Sequence, residues 1–130
     1  MTAPDLLAPY DLTGRIALVT GGTGGIGRAC VERLTAYGAT VVATCVEGVD
    51  DPATELATFN GLKGVTVQPL DLSQPASIHR CIDAAVSSHG RIDILVNNAA
   101  VGSATVAKWA SDAETLDSRM LEINADGTLK

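Results

Sequence analysis

The sequence predicts an α/β fold built on a parallel sheet, and three observations carry that prediction. Strand-like apolar runs alternate along the chain with helix-period segments, and short turn signals separate them. The first run, Ile16-Ala-Leu-Val19, is of the continuous kind expected for a strand covered on both faces, and it leads straight into the glycine-rich stretch Thr20-Gly-Gly-Thr-Gly-Gly-Ile-Gly27. No repeat or low-complexity tract interrupts the pattern.

After that stretch, Ile26, Ala29, Cys30 and Leu34 fall at i, i+3, i+4 and i+8, which predicts a helix with one apolar face that ends near Tyr37-Gly38. Val41-Val-Ala-Thr-Cys45 reads as a second buried strand, Glu47 to Pro52 as a loop, and Pro52 to Phe59 as a short helix. Val65-Thr-Val67, running on to Leu70, is a third strand that stops at Asp71. Ile78, Cys81, Ile82, Ala85 and Val86 then mark the clearest helix, with Ser73 as candidate N-cap and Gly90 beyond its end. Ile92 to Val96 is a fourth strand, ending at Asn97-Asn-Ala-Ala100. A last helix is announced by the capping-box spacing Ser111-Asp-Ala-Glu114, with Leu116, Met120 and Ile123 on its buried side.

Composition narrows the function classes. The chain has 130 residues, a formal charge of −6 and 46% hydrophobic content, which suits one globular domain and not a disordered segment. Its nine Lys and Arg residues are scattered, whereas neutralising nucleic-acid phosphates takes a clustered basic excess, so no nucleic-acid partner is expected. No apolar run approaches the roughly 20 residues of a membrane span, and the start lacks the basic flank and apolar stretch of a signal peptide, so a cytoplasmic protein without a membrane partner is expected. Cys30, Cys45 and Cys81 form no CxxC pair and lie inside apolar patterns. They suggest small reduced core residues and no metal site.

The glycine stretch carries the specific chemistry. Gly22, Gly24 and Gly27 make GxGxxG, while Thr20-Gly21 with Gly25-Ile26-Gly27 makes TGxxxGIG. Glycine patterns also close ordinary loops, but this one stands between a buried strand and an amphipathic helix. There, backbone without Cβ atoms lets a pyrophosphate approach the amides and positive end of the helix. No Gly-Lys-Ser/Thr follows, which disfavours a P-loop.

With Asp71-Leu72 ending the third strand, Asn97-Asn-Ala-Ala100 ending the fourth, and Asn124 followed by Gly127 in the last helix, the glycine stretch makes the sequence resemble the short-chain dehydrogenase/reductase family from about Leu12 to the last residue. The resemblance implies a Rossmann-like doubly wound parallel sheet, here truncated after about four strands, with residues 1–11 as a flexible leader and residues 12–130 as an NAD(P)-binding domain. It departs from the family at Ala100, where the usual pattern reads Asn-Asn-Ala-Gly.

Carried over position by position, the resemblance implies that Gly21, Gly25 and Gly27 shape the phosphate turn and that Thr23 and Ile26 offer contacts to it. Asp71 and Leu72 would meet the adenine; for Asp71, the alternative is a helix-start charge favoured by the dipole. Asn98, Ala99 and Ala100 would line the nicotinamide side, and Asn97 would tie neighbouring strands together. Asn124 matches the asparagine of the family's catalytic tetrad, in a supporting role; read from the sequence alone, it equally suits a local kink or a polar cross-link. Trp109, in the loop before the last helix, suits packing better than substrate contact.

The choice between NAD and NADP turns on the end of the second strand, where an acid binds ribose hydroxyls and a base favours the 2′-phosphate. Cys45 and Val46 carry neither charge, nor does Gly24, and Glu47 reads equally as a ribose ligand or a solvated loop acid, so the sequence leaves the cofactor as NAD or NADP. No cation near Cys45 points to a reactive thiol.

The family's hydride transfer also uses a Tyr-x-x-x-Lys pair and a serine. Here the tyrosines are Tyr10 and Tyr37, followed four residues later by Gly14 and Val41, and Ser103 and Ser111 precede the serine's expected place. The expectation is therefore a cofactor-binding portion of an oxidoreductase that turns over no carbonyl substrate as an isolated chain. Alternatives are a non-catalytic nucleotide-binding or regulatory module that pairs with a full-length relative or a second copy through an open sheet edge and the last helix, and a remnant without a ligand. The substrate is beyond reach.

Overall fold

In the computed structural model, residues 10–99 are described. The elements run β1 (Ile16–Val19), α1 (Gly25–Ala36), β2 (Thr40–Val46), α2 (Pro52–Ala57), β3 (Val65–Leu70), α3 (Pro75–His89) and β4 (Ile94–Val96). All four strands are parallel, in the order β3-β2-β1-β4. The chain therefore builds outward from β1 in one direction, through β2 to β3, and then crosses back to lay β4 on the other side of β1. This 3-2-1-4 order is that of a Rossmann-like, doubly wound sheet.

Side-chain alternation sorts β1 and β2 onto two cores. Ala17, Val19, Val41 and Ala43 pack with Val31 of α1, Phe59 and Val65 on one face. Leu18 and Val42 pack with Leu70 and with Cys81 and Ala85 of α3 on the other. Leu18, Val19, Val31, Val41 and Val42 are among the residues sealed from solvent, each burial being worth roughly 1.5–3 kcal/mol. Cys45 and Cys81 are buried as core residues, and Cys30 is half-buried. The entry to β1 is clamped from β4: the Asp93 carboxylate accepts from the Ile16 amide at 2.8 Å, and Arg91 donates to the Gly14 carbonyl at 2.6 Å.

The expected helix faces need rotation. In α1 the inward residues are Gly27, Cys30, Val31 and Leu34, while Ile26 is 76% exposed and Ala29 also faces out. Docking through Gly27 brings the helix backbone close to the sheet and turns the stripe by about one residue. In α3 the inward residues are Ser77, Cys81 and Ala85, and Ile82 and Val86 are more exposed than their spacing suggested. Ser77 turns inward because its hydroxyl accepts from the Asp71 amide at 2.8 Å. Gln74, and not Ser73, occupies the N-cap position of α3, and Ser73 donates its hydroxyl to Asp71 Oδ1 at 2.6 Å. β4 starts at Ile94, two residues later than expected, because Asp93 serves the clamp on β1. The expected last helix, with Asn124, and Trp109 and Ala100 lie outside the described residues.

Candidate functional site

The C-terminal ends of β1 and β4 mark the point where the sheet reverses its direction of growth, and a crevice opens there in folds of this type. Thr20, one residue past β1 and 6% exposed, holds the crevice floor. Its amide donates to the Val96 carbonyl at 3.1 Å, and its hydroxyl accepts from the amides of Asn98 at 3.0 Å and Ala99 at 2.9 Å. The Asn98 side-chain amide in turn donates to the Gly21 carbonyl at 3.4 Å. The cross-strand tie expected of Asn97 is thus made by its neighbour, and Asn97 is exposed. The chain turns just past β4, where the Asn98 amide also donates to the Val96 carbonyl at 3.1 Å, and this turn presents Asn98 to Gly21.

Gly21, Gly22 and Gly27 are demanded by close approach, a Cβ on Gly22 meeting that of Ala43 at 2.8 Å. Gly21 has φ +65°, and a Cβ there would stand 3.1 Å from both Ala99 Cα and Asn98 Nδ2. A Cβ on Gly27 would overlap the Gly21 carbonyl oxygen, so α1 can rest on the turn only through a residue without a side chain. Gly24 and Gly25, by contrast, face open space. Gly24 is the N-cap of α1 and gives no side-chain cap, and no acid stands in the first turn. The positive end of the helix is therefore uncompensated by side chains and borders an open glycine surface. Exposed Ile26 stands beside it, an apolar side chain with no core to cover.

Besides Thr20 of the motif, two residues outside its pattern, Thr44 and Arg28, fix this turn. The Thr44 hydroxyl, from inside β2, accepts from the Gly21 amide at 3.0 Å. Its signal was a lone hydroxyl in the apolar run Val41 to Cys45. Arg28 Nη2 donates to the Thr23 carbonyl at 2.8 Å and to the Thr58 hydroxyl at 2.6 Å, and its guanidinium lies 4.2 Å from the centre of the Phe59 ring. Thr20 contributes the hydroxyl described above.

At the neighbouring strand ends, Asp71 turns its carboxylate onto its own loop, where Oδ1 accepts from the Ser73 amide at 2.9 Å and from the Ser73 hydroxyl. The carboxylate thus closes the turn ahead of α3, three residues before the Gln74 N-cap. Leu72 is half-buried against the α3 core. Glu47 is neither a free loop acid nor turned to the crevice: Arg80 Nη2 donates to both of its oxygens, at 3.0 and 3.2 Å. Burial pushes the Cys81 thiol up to about 11, and burial, followed by the charge of Asp50, raises Cys45 as well, so both are poor thiolates.

A parallel 3-2-1-4 sheet with a glycine turn at its switch point defines the Rossmann-like class of α/β proteins. Within that class the chain belongs to the short chain dehydrogenase family, whose family model matches residues 15–130. It is 34% identical over 120 residues to the 3-oxoacyl-(acyl-carrier-protein) reductase FabG of Escherichia coli (strain K12), covering 92% of this chain and 47% of that protein. The chain thus spans about half the length of the curated relatives it matches. Among solved structures it is similar to the RhlG/NADP active-site complex of Pseudomonas aeruginosa, with a TM-score of 0.74 and 28% identity over 92% of this chain and 46% of that one. It is also similar to a 3-ketoacyl-(acyl-carrier-protein) reductase of Brucella melitensis complexed with NADH, with a TM-score of 0.71 and 30% identity over 91% of this chain and 47% of that one. Among the described residues no helix is long and apolar enough to cross a membrane.

Proposed function

We propose that this chain is the nicotinamide-dinucleotide-binding portion of a short chain dehydrogenase, and that it holds NAD(P) across the crevice between β1 and β4. The observation that carries the reading is the α1 N-terminus, left without a side-chain cap or first-turn acid and fronted by the open backbone of Gly24 and Gly25. That surface suits a pyrophosphate, which has negative charge and needs backbone donors. Gly21 and Gly27 shape the turn, Thr23 is oriented through its carbonyl by Arg28, and Ile26 offers an apolar contact. Asn98 and Ala99, pinned by Thr20, line the nicotinamide side together with Ala100. With Asp71 Oδ1 committed to Ser73, an adenine would be met by Oδ2 and by the Leu72 amide.

When bound, the dinucleotide supplies the hydride of the family's redox step. The described residues bind and orient it, and none is placed to exchange a substrate hydroxyl proton. Asn124 supports that exchange only where a tyrosine and lysine stand beside it. The test is calorimetric titration of the full 130-residue chain with NAD(H) and NADP(H), followed by an assay of cofactor oxidation with carbonyl substrates. Saturable binding of one dinucleotide per chain without turnover is expected. Absence of binding for every form overturns the reading.

A further inference from the structure

Arg28, in the first turn of α1, joins the glycine turn to the end of α2. Its amide donates to the Gly24 carbonyl at 3.2 Å and its Nη2 to the Thr23 carbonyl at 2.8 Å, so one residue holds two consecutive carbonyls of the turn. On the far side Nη2 also donates to the Thr58 hydroxyl at 2.6 Å and Nη1 to the Thr58 carbonyl at 3.4 Å, and the guanidinium lies 4.2 Å from the centre of the Phe59 ring. Phe59 is itself packed in the core with Val31 and Val41, which makes this end a fixed support. We propose that Arg28 is a positioning residue: braced on Thr58 and Phe59, it holds the Thr23 carbonyl back and so aims the Gly24 amide at the pyrophosphate. The inference rests on the dinucleotide-binding reading above and deepens it.

Peptide geometry carries the aiming. Among the described residues no peptide bond is cis, and in a trans unit the carbonyl of one residue and the N–H of the next point in opposite directions. Holding the Thr23 carbonyl against Arg28 therefore turns the Gly24 N–H away from it, and among the described residues no acceptor takes that N–H. The turn has no side chain of its own to fix this peptide unit. Gly24 and Gly25 face open space, Gly25 stands at φ +50°, and glycine backbone has the widest conformational choice to lose when a ligand binds. A support from outside the turn removes that loss beforehand, which raises affinity without adding a contact. A guanidinium suits the task, since its planar fork serves separate acceptors at once and stacks on an aromatic face, and a lysine ammonium has no such fork.

The experiment is titration calorimetry of the full chain with NAD+ and with NADP+, on the wild type and on Arg28→Met, Thr58→Val and Thr58→Ser, with thermal unfolding of each alongside. Arg28→Met keeps an apolar stem and removes every guanidinium bond, and both dinucleotides are expected to lose at least about tenfold in affinity, by the same factor, because the pyrophosphate is common to them. Thr58→Val leaves the charge of Arg28 in place and removes its hydroxyl support, so a loss of about threefold is expected, restored by Thr58→Ser. Added to Arg28→Met, Thr58→Val is expected to weaken binding no further, since the support then holds nothing. Nuclear magnetic resonance reads the aim itself: at saturating NAD+ the Gly24 amide signal is expected to shift in the wild type and to stay in place in Arg28→Met. If Arg28→Met fails to fold, the exposed Thr58→Val and its rescue by Thr58→Ser carry the test. Unchanged affinity in Arg28→Met or Thr58→Val, or an unmoved Gly24 amide in the saturated wild type, overturns the positioning by Arg28 and leaves the binding reading standing. A loss in Arg28→Met that Thr58→Val does not share marks direct charge attraction and overturns it equally. Failure of both dinucleotides to bind the wild type overturns both.

Discussion

The hydroxyl of Thr44 accepts from the amide of Gly21 at 3.0 Å, so the glycine turn after β1 is braced by a side chain from the middle of its neighbouring strand. Thr44 is 2% exposed, so its hydroxyl is a buried partner for that amide. Thr44→Ala is expected to cost about 1–3 kcal/mol through the buried donor left unpaired. Thr44→Ser, which keeps the hydroxyl, is expected to recover most of that loss. Urea unfolding of the two variants checks the difference, and equal stabilities would show that the bond contributes nothing.

At Gly24 stability and binding are expected to part. The residue has φ −142° and open space around its Cβ position, and Asp is a preferred N-cap. Gly24→Asp is expected to leave stability unchanged or raised by about 0.5 kcal/mol, because it caps α1 and complements its dipole. The same carboxylate stands where a pyrophosphate is proposed to lie, so dinucleotide affinity is expected to drop by at least about a hundredfold. Thermal unfolding and calorimetry on the one variant decide the matter.

The neighbouring glycines fail for different reasons. Gly27→Ala drives a methyl into the Gly21 carbonyl and is expected to shift α1 off the turn, lowering stability and binding together. Gly25→Ala meets nothing within 4 Å but holds φ +50°, so only the left-handed strain of about 1–2 kcal/mol is expected. Chemical denaturation of both variants distinguishes overlap from strain.

Asp93 makes stability depend on pH at the opposite end of the sheet. Its bond from the Ile16 amide, and next its bond from Arg91, hold its carboxyl below the ordinary value of 3.8. A carboxyl depressed in the folded state contributes stability above its unfolded pKa and loses it as pH falls through the folded one. Asp93→Asn is therefore expected to flatten the stability curve at and below about pH 4, and to destabilise most at neutral pH. Urea midpoints measured from pH 3 to 7 test this.

Thiol labelling reports the two cores. Cys81 is buried, with its thiol pushed up to about 11, while Cys30 is half-buried. At pH 8 iodoacetamide is expected to modify Cys30 in the native protein and Cys81 only after unfolding. Peptide mass mapping reads the order directly.

Much of the architecture was legible because periodicity and turn chemistry are local. Ile16 to Val19 announces itself as a strand through continuous apolar content and Val65 to Val67 through its β-branched residues, and Gly90, expected beyond the end of α3, closes it in the left-handed conformation. Helix rotation was less legible. Ile26 and Ile82 fit apolar spacing yet point outward, because spacing identifies a face but not the depth at which a helix docks. Gly27 and Ser77 decided that depth, one by lacking a side chain and the other by bonding to the Asp71 amide.

The candidate site divides in the same way. The sequence by itself determined the alternation of strands and helices, the glycine turn and the residues that border it, since each is written in contiguous residues whose conformational demands are local. Only the tertiary structure decided that Thr20 and Thr44 hold the turn, that Asn98 and not Asn97 ties the strands, and that Glu47 belongs to Arg80 while Asp50 closes β2. Four of these bonds, all but the Asp50 turn, join residues more than twenty positions apart. For the three that involve Thr20, Thr44 and Asn98, the parallel packing of β1 against both β2 and β4 chooses the partners, and the docking of α3 beside the end of β2 chooses Arg80 for Glu47.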